Sequence, residues 1–445
     1  MRNTARPVRK SPGKSQSNGK ERAIPVEKWK RNLFILYAGQ FLAMASTSCV
    51  APFLPLYLQE MGLTDPGQVR LWTGAIYGSN LLTAFLFAPI WGRLADRYGR
   101  RPMLIRSGLG MAVTITLMSF AAAPVHLLLL RLVNGVVSGF SPSAIALVAT
   151  NTPREHSGYA LGVLHSGAVA GTMIGPLLGG IMADRFGFSA VFLYLGIGIF
   201  VASLIVIFWV KESFEKKETK AREPFFQDFR TIVGRKPVSS LLVSAAAIRM
   251  AMVGTLPFIP LYVQQLAPGE NNLVLLAGIT TAAMGVGNMI SAPQLGKLGD
   301  RFGSRYVLAG AVIGAVLFLI PQAFVRELWQ LIALRALTGA CLGGMMPSVN
   351  ALMRHYAPPG KESSTYGYLN CALFLGGMVG SVGMGAVSSQ FGLPMIFIGS
   401  ALILLMNNVW MKYTVLKQET NRMELNVGAH AGKSGRDGTD SGLPR

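Results

Sequence analysis

Four ionisable side chains stand well inside long apolar runs of this chain: Arg131, His165, Arg249 and Arg335. A histidine changes charge near neutral pH, so His165 could pass a proton, although a lone histidine among apolar helices can also serve as a hydrogen-bonding contact. An arginine facing lipid at such depth costs at least ~2.5 kcal/mol, so each of the three must face protein, water or a substrate. All twenty Asp and Glu lie at the ends of runs, between them or in the tails, so no acid is placed to neutralise these arginines. Arg249 stands furthest from help. Its guanidinium could bind backbone carbonyls, or grip the anionic group of a substrate through paired donors.

Uncharged polar side chains share the same runs: Gln40, Tyr77, Asn80, Asn134, Asn288, Asn350 and Asn370. Amid Met and Phe, such a lining suits amphipathic molecules held loosely, since Met adapts its shape. Bonding between helices would account for the same residues.

Two glycine patterns concern motion. Gly92-x-x-x-Asp96-Arg97-x-Gly99-Arg100-Arg101 recurs as Gly296-x-x-x-Asp300-Arg301-x-Gly303. The glycines allow tight turns between helices. An aspartate beside them can accept from helix amino termini or arginine, and so latch neighbouring helices in one of two states. Neutralising Asp96 should then upset the balance between the states. Separately, Gly167, Gly171, Gly175 and Gly179 are spaced by four and stack on one helix face, where another backbone can come close. Pro176 removes a hydrogen bond there and permits a bend.

These residues need long helices to carry them. Of 445 residues, 51% are hydrophobic and 14% charged, against roughly 25% charged in an ordinary soluble domain. This excludes a soluble enzyme and a disordered scaffold. Crossing a ~30 Å hydrocarbon core takes ~20 apolar residues. Twelve runs qualify: 33–58, 71–92, 103–122, 125–149, 157–182, 188–210, 238–264, 272–296, 304–323, 327–353, 362–386 and 391–412. An even number puts both termini on one side.

The net charge of +21 would ordinarily suggest nucleic acid, but here the charge sits in short clusters between spans. One side collects nearly all of it, from Arg2 through Arg97 and Lys217 to Arg436, and that side should be cytoplasmic. Segment 211–237 is charged and carries Phe214, Phe225, Phe226 and Phe229. It divides a first bundle, 33–210, from a second, 238–412. A basic tail, 1–32, precedes them, and a Gly- and Ser-rich tail, 413–445, follows and should be disordered.

The halves repeat at an offset of 204–205: Pro52–Tyr57 as Pro257–Tyr262, and Leu130–Gly135 as Leu334–Gly339. Two related six-helix bundles are the architecture of a transporter, with its substrate site at the midplane. Other classes lack their residues. Gly13-Lys14-Ser15 and Gly432-Lys433-Ser434 end like phosphate loops, but Val8 and Val427 occupy the first glycine position. No His-Glu-x-x-His motif or pair of membrane acids exists, and His165-Ser166 has no oxyanion motif beside it. Cys49, Cys341 and Cys371 form no Cys-x-x-Cys pattern, so no zinc site is indicated.

With these motifs in hand, the chain resembles the major facilitator superfamily across roughly residues 28–415, in its drug:proton antiporter branch. The doubled glycine–aspartate pattern looks like the family's motif A, placed in the loop after spans two and eight. Arg131-x-x-x-Gly135 looks like motif B. Gly171-x-x-x-Gly175-Pro176-x-x-Gly179-Gly180 looks like the antiporter motif C. The resemblance implies an all-α membrane protein with twelve transmembrane helices in two pseudo-symmetric bundles. It implies export of amphipathic drugs across the cytoplasmic membrane, or of one endogenous metabolite such as a siderophore or organic acid. No cofactor is implied: the proton gradient drives the cycle, and the partners are a small-molecule substrate, protons and the lipid bilayer. A monomer with both termini cytoplasmic is expected. Gly92, Arg93, Asp96, Arg97, Gly99, Arg100, Asp300 and Arg301 would form the latch, and Arg131, His165 and Arg335 are coupling candidates. The missing midspan carboxylate departs from the branch's pattern.

Overall fold

Pro52 and Pro257 occupy repeat-related places, yet the helices around them differ. The computed structural model describes residues 26–212, 230–270, 272–358 and 361–416. In the first half, α1 (Val26–Glu60) runs through Pro52 and Pro55 unbroken. In the second half the same span is broken. α8 (Lys236–Thr255) passes through a single tight turn, Leu256–Phe258, into α9 (Ile259–Leu266), where Pro257 and Pro260 withhold two helix donors.

The remaining helices of the first bundle are α2 (Pro66–Tyr98), α3 (Arg100–Met118), α4 (Pro124–Val137), α5 (Phe140–Asn151), α6 (Ser157–Phe186) and α7 (Phe188–Trp209). Those of the second are α10 (Leu273–Phe302), α11 (Ser304–Gln322), α12 (Leu328–Tyr356), α13 (Glu362–Phe391) and α14 (Met395–Met411). Among the described residues all regular structure is helical. Taking α4 with α5 and α8 with α9, they make twelve spans. Eleven are long and apolar enough to cross a membrane. The twelfth, α3, carries Arg100, Arg101 and Arg106, and the fold accommodates each. Glu212 accepts the amides of Arg100 and Arg101 at 2.9 and 2.8 Å, and Arg101 donates to the Ile207 carbonyl at 2.6 Å. The Arg106 guanidinium lies 3.4 Å from the centre of the Trp91 ring.

The span expected over 125–149 is present as Pro124–Asn151 and is interrupted within at Ser138–Gly139, where Gly139 has φ +125°, a conformation glycine adopts without strain. Two sequence expectations need correction. Motif A is not a loop: α2 continues to Tyr98 and α10 to Phe302, so only Gly99 and Gly303, at φ +96° and +97°, make the turns. Gly92 is helical and makes none. Finally, residues 26–32 belong to the bundle and not to a tail. Trp29 is buried and stacks on His156, and Asn32 donates to the Lys211 carbonyl. The central-loop phenylalanines, the basic segment 1–25 and the tail from 417 lie outside the described residues.

Each bundle has its own apolar core, around Leu36, Leu54 and Phe140 in the first and Ile248, Phe258 and Phe397 in the second. A third, small cluster joins Phe53 and Val191 of the first bundle to Val274 of the second.

The glycine stripe of α6 meets α1 along its length. A Cβ on Gly167 would come 2.8 Å from the Tyr37 ring, one on Gly171 would strike the Phe41 carbonyl, and one on Gly175 would come 2.6 Å from the Ala45 carbonyl. Gly179 faces Cys49 and Phe53. Lipid supplies no hydrophobic drive between helices, so this close contact is what holds α6 to α1. We expect Gly171→Val to destabilise the protein by ~1–3 kcal/mol through overpacking. Gly162→Val, which meets nothing within 4 Å, should leave stability unchanged. Thermal unfolding of the two purified variants checks this.

Candidate functional site

The two bundles touch at the end of the molecule away from the Lys/Arg-rich loops and part toward the basic end. Along α2 and α13, Gly67 approaches Ser389, Gly74 approaches Ser381 and Gly385, and Gly78 approaches Val382. One turn further, Leu81 reaches Gly377. Between α6 and α10, Gly180 meets Leu275, Pro176 meets Gly278, and Met173 meets Gly285. Nearer the basic end, Gly158, Gly162, Gly296 and Gly367 have nothing within 4 Å of a built Cβ. The opening is therefore a wedge with its apex near Leu81, Met173 and Gly377.

Polar bonds lock the closed end. Arg70 of α2 donates to the Ser388 carbonyl of α13 at 2.7 Å. Gln59 of α1 and Gln264 of α9 pair side chain to side chain at 3.3 Å. Asp184 of α6 accepts the amide of Leu275 at 3.2 Å, and that of Val274 as well, capping the positive amino terminus of α10 from the opposite bundle.

At the apex the structure gathers three residues that the sequence listed separately. Tyr77 lies within electrostatic range of both Arg249 and Arg131, which stand on α8 and α4. Arg131 is buried, and its Nε and Nη2 have no partner. Its repeat counterpart Arg335 is buried in the same way, with Nη1 donating to Thr255 at 3.4 Å and Nε and Nη2 unpartnered. The Arg249 side chain is exposed to the opening, with its Cγ close to Gly377. Among the described residues it has neither a hydrogen bond nor a carboxylate partner. The apex is thus positive and incompletely satisfied, an arrangement that can hold an anionic group.

His165 also borders the opening. On α6, Gly171 and Gly175 face α1 while Met173 and Gly180 face α10. At about 100° per residue, His165 and Thr172 point between those directions, opposite the exposed Ile174, Leu178 and Ile181. His165 and Thr172 are themselves exposed. In this conformation, then, His165 is reached by water.

Of the other expected cavity residues, two bond within one bundle. Asn80 and Asn134 bond to each other at 3.0 Å, and Asn134 donates to Thr114 at 2.6 Å. This chain ties α2, α4 and α3 within one bundle, so these two asparagines serve packing and not the cavity wall. Gln40 donates to Ser141 at 2.7 Å and keeps a buried, unpartnered Oε1. Asn288 is half-buried on α10, while Asn350 and Asn370 are exposed on α12 and α13. Pro176 and Gly180 lie in the contact between bundles, whereas Gly171, Gly175 and Gly179 lie within one bundle.

At the basic end the described latch residues keep to their own bundles. Arg97 and Arg301 each lie 5.3 Å from the ring of the next residue, Tyr98 and Phe302. Asp300 is exposed. No described bond from Arg97, Arg100, Asp300 or Arg301 crosses between the bundles; the side chain of Asp96 lies outside the described residues. Two carboxylates that sequence reasoning passed over do cap helices: Glu212 on α3 and Asp184 on α10. The signal for Asp184 was present, because Gly180-x-x-x-Asp184-Arg185-x-Gly187 is a third copy of the motif A pattern, at the opposite end of the bundle. Gly187, at φ +79°, makes its turn as Gly99 does.

The family model of the Major Facilitator Superfamily matches residues 36–284 and 273–430. The chain is 38% identical over 398 residues to the multidrug resistance protein MdtG of Dickeya zeae, covering 89% of this chain and 97% of that protein. It is equally 38% identical, over 397 residues, to the MdtG of Serratia proteamaculans, covering 89% and 96%. Among solved structures, a bacterial homologue of the human lysosomal transporter Spinster, inward-facing and unoccupied, superposes with TM-score 0.73 at 15% identity, covering 88% of this chain and 98% of that one. The D323A mutant of the nucleoside transporter NupG gives 0.71 at 13% identity, covering 87% and 100%.

Removing the Asp184 cap should favour separation of the closed end. An exposed helix cap contributes ~0.5–2 kcal/mol, so Asp184→Ala should shift the ratio of the two states by about two- to thirtyfold. Distances between spin labels on the far ends of α6 and α10 measure that ratio.

Proposed function

Because the chain belongs to the Major Facilitator Superfamily, we propose that it is a secondary active exporter of amphipathic small molecules that works by alternating access. The single observation that carries this reading is the wedge itself. It is closed at one end by bonds between the bundles, open at the other, and has a polar, positive apex between two repeat-related bodies. With the basic end on the cytoplasmic side, the conformation is open to the cytoplasm and ready to load an outgoing substrate. The relatives that bear a multidrug name support drugs as the substrate class.

Proton influx is the driving force in this reading. His165, an imidazole exposed in the wedge, is the proposed carrier. The apex arginines stay charged and act on the substrate. After loading, the closed end opens by release of Asp184, Arg70 and the glutamine pair. The basic end then closes through motif A, and Asp96 and Asp300 cap helices there as Asp184 does at the other end. One observation favours a dedicated metabolite exporter as the second reading: an apex holding Arg249, Arg131 and Tyr77 suits an organic acid.

Reconstitution into liposomes with a pH-sensitive dye inside tests the proposal. Adding a transported drug to one side should move protons the other way, and His165→Ala should weaken that movement near neutral pH. Substrate flux without proton movement would refute proton antiport.

Selectivity gives a second measurement. Arg249→Gln removes hydrogen bonds to a charged group, ~1.5–3 kcal/mol. It should raise the KM of an anionic substrate about ten- to a hundredfold and spare a cationic one. Equal loss of both would make Arg249 a structural arginine.

A further inference from the structure

The two bundles repeat each other, but one groove is filled in the first and open in the second. In the first bundle, Arg106 of α3 lies over the Trp91 ring of α2 at 3.4 Å. Trp91 donates to the Val136 carbonyl at 2.6 Å, and Arg106 donates to the Ser138 carbonyl at 3.1 Å. Together they plug the cleft between α2, α3 and α4. At the offset of 204, Trp91 corresponds to Leu295 and Arg106 to Gly310. Neither can reach across. The second bundle therefore keeps a groove of about 540 Å³ between α10, α11 and α12. Its walls include Leu298, Phe302, Tyr306, Phe318 and Leu337, with Leu295 and Gly310 where the plug would be.

Size and charge indicate what fills it. From Tyr306 to Phe318 the groove follows α11 for about 18 Å, close to the ~15 Å half-thickness of a hydrocarbon core. Its walls are almost wholly apolar and it opens on the outer surface of the bundle, so water is not its solvent. Its mouth is at the basic end. There the Arg305 guanidinium lies against the ring of the groove-lining Tyr306, 4.5 Å from its centre, and donates to its hydroxyl at 2.9 Å. Lys297 and Arg301 are exposed on the adjoining turns of α10. An acyl chain fits the groove, and a phosphate fits the mouth.

We propose that this groove is a binding site for one anionic phospholipid of the basic-end leaflet, with an acyl chain between α10, α11 and α12 and the headgroup at Arg305, Arg301 and Lys297. The first bundle has no such site because Trp91 and Arg106 occupy the place of the chain. The lipid would lie against α10 and α12, which pack on each other inside the second bundle, and would brace that bundle as a unit.

The repeat itself supplies the test. The double variant Leu295→Trp, Gly310→Arg installs the first bundle's plug in the second. Full-length protein is purified, stripped of lipid and incubated with phosphatidylglycerol or phosphatidylcholine, and bound lipid is counted by native mass spectrometry. Wild type should retain one phosphatidylglycerol, in preference to phosphatidylcholine by about tenfold, as expected for basic side chains near one headgroup. The plugged variant should lose it. Should that variant fail to fold, Gly310→Leu takes its place, since a Cβ at Gly310 meets nothing within 4 Å. Undiminished retention by the plugged protein, or equal retention of both lipids by wild type, would overturn the proposal.

Discussion

The architecture rests on the approach of backbone to backbone between helices that lipid does nothing to press together. α6 shows this on two faces. Its stripe of Gly171, Gly175 and Gly179 seats α1, and on the other side Pro176 and Gly180 seat α10. The first contact belongs to one rigid body, and the second is a contact that can be made and broken. A helix with side chains on both faces could not be close-packed within its bundle and also slide against its neighbour at backbone range. The small residues thus divide the molecule into two stiff bodies with a thin seam between them.

Much of this was legible beforehand. Span number, the two-bundle repeat and the glycine stripe follow from hydropathy, spacing and the absence of side chains, all properties of single helices. Less legible was whatever depends on which faces meet. Asn80 and Asn134 carry the same polarity as a cavity lining, and only their alignment on α2 and α4 turns them toward each other. Motif A reads as a loop because it is charged, yet its charges ride on helix ends that project beyond the apolar layer. Asp184 escapes a comparison of the two halves because its glycine–aspartate–arginine–glycine pattern repeats within one of them.

The arginines show a different limit. Charge in an apolar run signals function by its cost, but it does not say how that cost is met. Here three guanidiniums are placed without a carboxylate partner among the described residues, and only the fold shows that Tyr77 lies near two of them while Arg335 stays inside its own bundle.

The glutamine pair at the closed end has a further meaning. Gln59 and Gln264 are counterparts at the offset of 205, so each meets its own image across the pseudo-two-fold axis. Such self-matching is the geometry of an isologous interface, the kind that two identical subunits form about a true two-fold. A dimer of unfused six-helix halves would close its end with the same contact, using one residue type twice. This one contact therefore needs no difference between the halves. Where they have drifted apart, at Arg249 opposite Met44 and at Gly310 opposite Arg106, joining them in one chain released each half from having to mirror the other.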